Sequence, residues 1–424
     1  MNDVTRHAIR INREKCIGCV HCLTACPTQA IRVRNGKANL LDDLCIDCGE
    51  CIRHCPTDAI DSVTTSFSDL EAFKYKVVLP ATALYGQFGN DVLPREIMYA
   101  LRRIGFDYVY ELSTLCEMHN SAFENYLKEH LQPRPLISST CPVVVRLIQH
   151  RFPSLCELIV PIEPPREVAA KILRSTLPSV LHLQADDIAF IHITPCPAKI
   201  VSINHPATMA KSNLDGAISI RDIYQPILNA LRRKDREGII RQLFPETVFS
   251  AIGIGWSLSG GETRGLKNHR TIAVSGVRDT IHVLDKVEAG QLKDVDYLEC
   301  MVCPDGCVGG PLAVENRFMA KSRISRLASM AGEKSVIGQP DLSAYTQKNI
   351  LSFQHPIIPA QVPLLDPDPV RAIEKAAERD AYARRLPRKD CGACGAPDCR
   401  TLAEDVVRGC ADLDDCPFVG KENR

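Results

Sequence analysis

Cys303 and Cys307 stand three residues apart in Glu299-Cys300-Met301-Val302-Cys303-Pro304-Asp305-Gly306-Cys307-Val308-Gly309-Gly310. Thiolates at that spacing can hold an inorganic cluster, and the Gly-Gly pair lets backbone pass close beside it. Two more cysteines lie far upstream. Cys141 is in Ser138-Ser139-Thr140-Cys141-Pro142, and Cys196 is in Thr194-Pro195-Cys196-Pro197-Ala198-Lys199. Each precedes a proline and follows a strand-like apolar run. Three loops meeting at one place would supply four ligands to one cluster.

Near the start of the chain, Cys16-x2-Cys19-x2-Cys22-x3-Cys26-Pro27 returns as Cys45-x2-Cys48-x2-Cys51-x3-Cys55-Pro56. The run resembles that of bacterial two-cluster ferredoxins, in which the fourth cysteine of each run serves the other cluster. That resemblance implies one [4Fe–4S] on Cys16, Cys19, Cys22 and Cys55, and another on Cys45, Cys48, Cys51 and Cys26. Small residues between the ligands let backbone N–H groups point at the sulfurs. The tail carries Cys391-x2-Cys394-x4-Cys399-x16-Cys416, with Gly392, Gly395 and Pro397 between ligands. It resembles the small four-iron domain of some electron-transfer subunits and corrinoid proteins, so a further [4Fe–4S] is expected there, with zinc as the alternative. Cys410 reads as a spare thiol, and Cys116 and Cys156 as core thiols.

In their order and separation, the three central loops resemble the active-site half of the [FeFe]-hydrogenases over residues 1–340. In that family three loops hold a four-iron cube, and one cysteine bridges to a two-iron unit. Pro80-Ala81 matches the family's first pocket-lining turn, and Ser259-Gly260-Gly261 its glycine-rich wall. Glu299, Met301, Cys303 and Cys307 match its third loop. The resemblance implies an H-cluster, that is, a [4Fe–4S] cube plus a diiron unit with CO, CN and a bridging dithiolate. The implied cube ligands are Cys141, Cys196, Cys303 and Cys307, with Cys307 as the bridge. Lys199 would hydrogen-bond a cyanide, a role that suits a compact cation with three donors.

Departures from the family pattern narrow the reading. Fast members have a second cysteine directly before the first-loop ligand, and here that residue is Thr140. A thiol titrates near pH ~8.5, whereas an aliphatic alcohol is a poor general acid. Phe123 and Tyr126 stand where the family's relay carboxylates are expected, with Glu124 one place off. Thr194 replaces a methionine, and the expected aromatic is Trp256. These changes resemble the sensory branches, which turn over slowly. A replacement proton route is expected through Glu262, Cys300 and Glu299. The plainer reading makes Glu262 a surface acid and Cys300 a packed apolar residue.

The elements around these loops alternate. Strand-like runs at 75–84, 106–112, 135–138, 188–193 and 272–275 separate helical patterns at 94–105, 120–131, 142–151 and 281–289. Such alternation predicts α/β architecture, parallel sheets with ligand loops at strand ends. The resemblance makes this a two-lobed domain with the cluster between lobes, beside a small α+β ferredoxin domain and a small helical Fe–S domain. The expected divisions are 1–64, 65–341, a proline-rich linker and helix at 342–385, and 386–424. A helix over 314–331 packs on the surface. Lysine plus arginine equals aspartate plus glutamate at 51 each, which argues against nucleic acid as a partner. Twenty cysteines at ligand spacings point to a reducing, anaerobic cytoplasm, not a disulfide framework. No apolar run is long enough for a membrane span. The implied function is reversible H2 oxidation and proton reduction at low turnover, serving H2 sensing or redox signalling. The alternative is a non-catalytic electron-transfer or scaffold subunit without the diiron unit. Implied partners are H2 and protons, a redox protein or signalling kinase or phosphatase, and the diiron maturation proteins. A homodimer is compatible with this reading.

Overall fold

The computed structural model describes residues 6–130, 132–232, 249–332, 335, 337, 350–361 and 363–419. The chain divides into two units, one of Ile9–Val63 with Ala360–Arg424 and the other of Met1–Ala8 with Thr64–Pro359. The tail, expected as a domain of its own, therefore shares a unit with the cysteine repeat. Among the described residues no helix is long and apolar enough to cross a membrane.

In the repeat-bearing unit, β1 (Ile9–Ile11) pairs antiparallel with β4 (Ile60–Ser62). Strands β2 (Ile31–Arg34) and β3 (Lys37–Leu40) form a hairpin. Asn35 and Gly36 turn it with φ of 52° and 69°, the positive pair that suits strand twist. The internal repeat reappears in the backbone. Gly18 and Asp47, Val20 and Gly49, and Gln29 and Asp58 are equivalent positions, and all six have positive φ. One-turn helices His21–Ala25 and Glu50–Arg53 carry Cys22 and Cys51 at matching places.

The tail docks on this hairpin. Arg32 reaches Asp405 through Nε (2.6 Å) and Nη2 (3.0 Å), and Arg34 Nη2 reaches it at 2.9 Å. Val33 N–H donates to Gly395 O (2.9 Å), and a Cβ on Gly395 would lie 1.8 Å from Val33 O. Only glycine permits that approach. Helix Pro369–Arg385 begins on Asp368, whose Oδ1 accepts from Val370 N and Arg371 N. The first part of the expected linker, 342–349, lies outside the described residues.

The larger unit holds two parallel sheets. One orders β6 (Tyr108–Val109), β5 (Tyr75–Pro80), β8 (Ile188–Thr194) and β9 (Gly216–Ser219). The other orders β10 (Thr271–Ser275), β11 (Tyr297–Met301) and β7 (Leu136–Ile137). β8, Ile-Ala-Phe-Ile-His-Ile-Thr, is buried at every position, as a central parallel strand covered on both faces must be. Helices Pro94–Arg103, Ser113–Glu129, Pro142–Arg151, Val277–Glu288 and Arg317–Ala331 fall where helical patterns were expected. Helices Pro165–Leu181 and Ile220–Leu231 were not expected, and each contains an internal proline, Pro178 and Pro226.

Candidate active site

Two cysteine loops are built alike. Cys141 follows β7 and N-caps Pro142–Arg151, and Cys196 follows β8 and N-caps Pro197–Asn204. Proline is tolerated at the first helical position because its missing N–H would be unpartnered there anyway. A helix N-terminus also favours a thiolate, through its partial positive charge. The third loop follows β11 and turns through Asp305 (φ 62°) and Gly306 (φ 93°), between Cys303 and Cys307. It interlocks with the second loop at Gly310, where a Cβ would lie 2.5 Å from Pro195 O.

Cys141, Cys196, Cys303 and Cys307 line one cavity together with Ala81, Thr140, Lys199 and Met301. Pro80 ends β5 beside Ala81 without lining it. Ser259, Gly260 and Gly261 also stay outside the lining, and Trp256 and Ser257 form that wall instead. The glycines brace the site from behind. A Cβ on Gly261 would meet Gly255 O at 2.2 Å, and Ser259 N donates to Asp305 O (3.1 Å), which steadies the third loop.

No motif or spacing marks three polar residues in this lining, Arg166, His192 and Ser257. Arg166 Nε, His192 Nε2 and Ser257 Oγ are all buried and have no hydrogen-bond partner. Each such group costs about 1–3 kcal/mol unless a ligand satisfies it. His192 Nδ1 lies 2.8 Å from Leu79 O. Burial, then the charges of Lys199 and Arg166, keeps its pKa well below the ordinary value. A neutral ring donating through Nδ1 leaves Nε2 as a bare acceptor. Lys199 Nζ stands 3.6 Å from Cys307 Sγ. Four thiols, an ammonium and unpaired guanidinium and hydroxyl donors fit a thiolate-held cluster whose outer ligands are anionic acceptors. Cys116, a buried core thiol as expected, also lines the cavity.

Glu262 is 1% exposed and is not a surface acid. Ser138 Oγ donates to its two oxygens (3.1 and 2.9 Å), and Thr140 Oγ1 donates to Oε2 (3.3 Å). The Tyr297 hydroxyl donates to Oε1. Burial, then the charge of Glu299, raises the Glu262 pKa to about 8. Glu299, also 1% exposed, accepts from Gly260 N (2.8 Å) and Thr263 N (2.9 Å). The expected order Glu262–Cys300–Glu299 is not the order of contacts. Among the described residues Cys300 Sγ makes no hydrogen bond to either carboxylate. Neighbouring strand residues face opposite sides, so Cys300 lines the cavity while Glu299 turns toward the 260–263 turn. Glu262 lines the cavity itself, beside its partners Ser138 and Thr140.

In the other unit, Cys16, Cys19, Cys22 and Cys55 line a second cavity. Burial, then Cys19, Cys16 and Cys55, pushes the Cys22 thiol up to about 11. Cys26 instead neighbours Cys48, Cys51 and Cys45, and it raises the first two of these. Thiolates packed this closely repel one another unless a cationic centre lies between them. Ala30 N and Ala59 N donate to Cys26 Sγ and Cys55 Sγ, each at 3.2 Å, again at equivalent positions of the repeat. In the tail, Cys394, Cys399 and Cys416 pack with Leu402 and Ala403, while Cys391 and Cys410 are exposed.

Known proteins share these features. The family described as iron only hydrogenase large subunit, C-terminal domain, matches residues 74–233 and 258–311. A 4Fe-4S dicluster domain matches residues 8–56, and an Fe-S cluster family matches residues 386–418. A subunit of the NADP-reducing hydrogenase of Solidesulfovibrio fructosivorans is 24% identical over 380 residues, covering 73% of this chain and 64% of that one. Iron hydrogenase 1 of Clostridium pasteurianum is 24% identical over 381 residues, covering 73% and 65%. This chain thus spans less than two thirds of either relative's length. An apo [FeFe]-hydrogenase variant from Chlamydomonas reinhardtii superposes with TM-score 0.51 at 17% identity, covering 70% of this chain and 98% of that one. That likeness shows the fold.

Proposed function

The chain belongs to the iron-only hydrogenase large-subunit family, and from that premise we propose that it interconverts H2 with protons and electrons slowly, as a sensing or redox-signalling component. The observation that carries this reading is the cavity itself. The four loop cysteines and Lys199 line it, and Thr140 occupies the place before Cys141. Cys307 is the residue that would hold a diiron unit here, and that group would supply the redox and acid–base chemistry for H2.

The chain's own residues bind and orient that group and move protons. Cys141, Cys196, Cys303 and Cys307 hold the cube, and Lys199, Arg166 and Ser257 offer donors to its anionic periphery. Glu262, on the cavity wall, exchanges the proton, and Thr140 beside it can relay one by accepting on one side and donating on the other. Burial keeps Glu262 near the pH at which it can both hold and release that proton. A hydroxyl in place of a thiol makes this step slow. The cysteines of the repeat and of the tail would hold further clusters, which would supply electron transfer toward a redox or signalling partner in an anaerobic cytoplasm. Maturation proteins would deliver the diiron unit.

Infrared spectroscopy of the anaerobically reconstituted protein after addition of a synthetic diiron cofactor tests this. Carbon monoxide and cyanide stretches that shift under H2 are expected. Silence in that region with every cube present by iron count would overturn the reading in favour of an electron-wiring scaffold.

A further inference from the structure

We propose that the cleft beside the tail's cysteine motif is the docking site for an acidic one-electron carrier protein. The proposal rests on the reading that this tail holds an iron–sulfur cluster. The cleft is lined by Arg384, Arg388 and Arg400, by Asp380 and Asp390, and by Cys399, one of the four motif cysteines. All three arginines are exposed.

The two carboxylates are already engaged. Asp390 Oδ1 accepts from Cys399 N (2.9 Å), and Asp380 Oδ1 accepts from Arg379 Nη2 (2.9 Å). Arg400 lies 4.0 Å from Asp380 with its side chain 69% exposed. Among the described residues Arg384 and Arg388 form no salt bridge, although the charge of Arg384 reaches Asp380. Exposed Arg385 and Lys389 extend the patch. Between residues 384 and 400, five basic residues stand against two acidic ones, Asp390 and Asp398, in a chain with 51 of each sign overall. Asp398 is itself used, accepting from Thr401 N (2.7 Å).

A local positive field around a half-buried cluster cysteine attracts carboxylate-rich surfaces and steers their approach. Guanidinium forks suit carboxylates better than ammonium groups do. Redox encounters of this kind are small and dominated by charge. One electron leaves the reduced carrier and enters the tail cluster; no bond or proton changes.

The test follows oxidation of a reduced, strongly acidic [2Fe–2S] ferredoxin by the full-length, cluster-loaded protein in anaerobic stopped flow. Arg384→Glu with Arg388→Glu should lower the second-order rate about tenfold or more at low salt. The two Gln replacements should fall between this pair and wild type. All rates should converge near ~1 M salt, where the Debye length is about 3 Å. Reduced methyl viologen, a cation, should react no more slowly with the reversed pair. Arg95→Glu with Arg103→Glu, two exposed residues on helix Pro94–Arg103, should leave the ferredoxin rate unchanged. An unchanged ferredoxin rate in the reversed pair, an equal loss in the control pair, or an equal loss with viologen would each overturn the docking site. An iron count one cube short in the wild type would remove the tail cluster, and this proposal with it. None of these readings depends on the diiron unit.

Discussion

At Glu262 a buried carboxylate accepts from Ser138, Thr140 and Tyr297, and its pKa is raised to about 8 from an ordinary value of 4.5. The folded state therefore binds the extra proton between those two values, and its stability falls as pH rises through that window. Facing groups do not offset this. Glu299, Tyr297 and Cys300 are all shifted upward, burial being the main cause. Relative to Glu262→Gln, the wild type should lose roughly 3 kcal/mol between pH 5 and 8. Anaerobic thermal unfolding at several pH values measures it, and parallel curves would mean that Glu262 is already ionised in the fold. In the diiron-loaded protein the same variant should turn over H2 about 100-fold more slowly. The sequence left Glu262 open between a buried relay carboxylate and a surface acid, because a carboxylate after two glycines carries no periodicity, and the fold decides for burial. That Cys16, Cys19 and Cys22 share a cavity, as do Cys303 and Cys307, was legible because close spacing is a local property. Arg166, His192 and Ser257 were not, because single polar residues become recognisable only when a fold leaves them buried and unpaired.

The loops depend on elements that the sequence announces unevenly. Proline after Cys141 and after Cys196 marks two helix starts directly, because proline is well placed in a first turn. Pro178 points the other way and hides helix Pro165–Leu181, the element that delivers Arg166 to the cavity. Burial of Val168, Ala169, Ala170 and Leu173 anchors the part of that helix before its proline, and local propensity cannot report such tertiary support. Likewise the strand pattern at 106–112 yields only the two residues of β6, since pairing with β5 decides how much becomes strand. The third loop's Gly-Gly was legible as flexibility, but its use is closeness. Gly310→Ala would press a Cβ against Pro195 O and Pro195 Cβ, at 2.5 and 2.7 Å, and push the second and third loops apart. We expect about 1–3 kcal/mol of destabilisation and loss of one cube by iron count. Full iron content at unchanged thermal stability would show that the loops can part without consequence.

The division of the whole chain was the least legible level. The sequence places the two-cluster repeat and the four-cysteine tail at opposite ends, yet Ile9–Val63 and Ala360–Arg424 form one unit. What joins them is a pair of residues 373 positions apart, and no spacing rule reaches that far. Arg32 and Asp405 have side chains only 10% and 8% exposed, and Arg34 adds a second guanidinium to the same carboxylate. Removing one member of a buried pair strands the other charge, at a cost of about 3–5 kcal/mol. Arg32 Nη1 also reaches Gln29 O and Ile31 O, so the lower end applies. Asp405→Asn should therefore speed hydrogen exchange across helix Cys399–Val407 by about a hundredfold and expose the tail to proteases. Replacing both partners, Arg32→Met with Asp405→Leu, should restore much of the protection, because an apolar pair leaves no charge unpaired. Equal exchange in wild type and Asp405→Asn would mean that Gly395 against Val33 holds the tail without help from charge. The repeat and the tail would then be joined by that backbone contact and by the hydrogen bonds of Gln29 to Thr401 and Asp398, and the pair would need another reason for its burial.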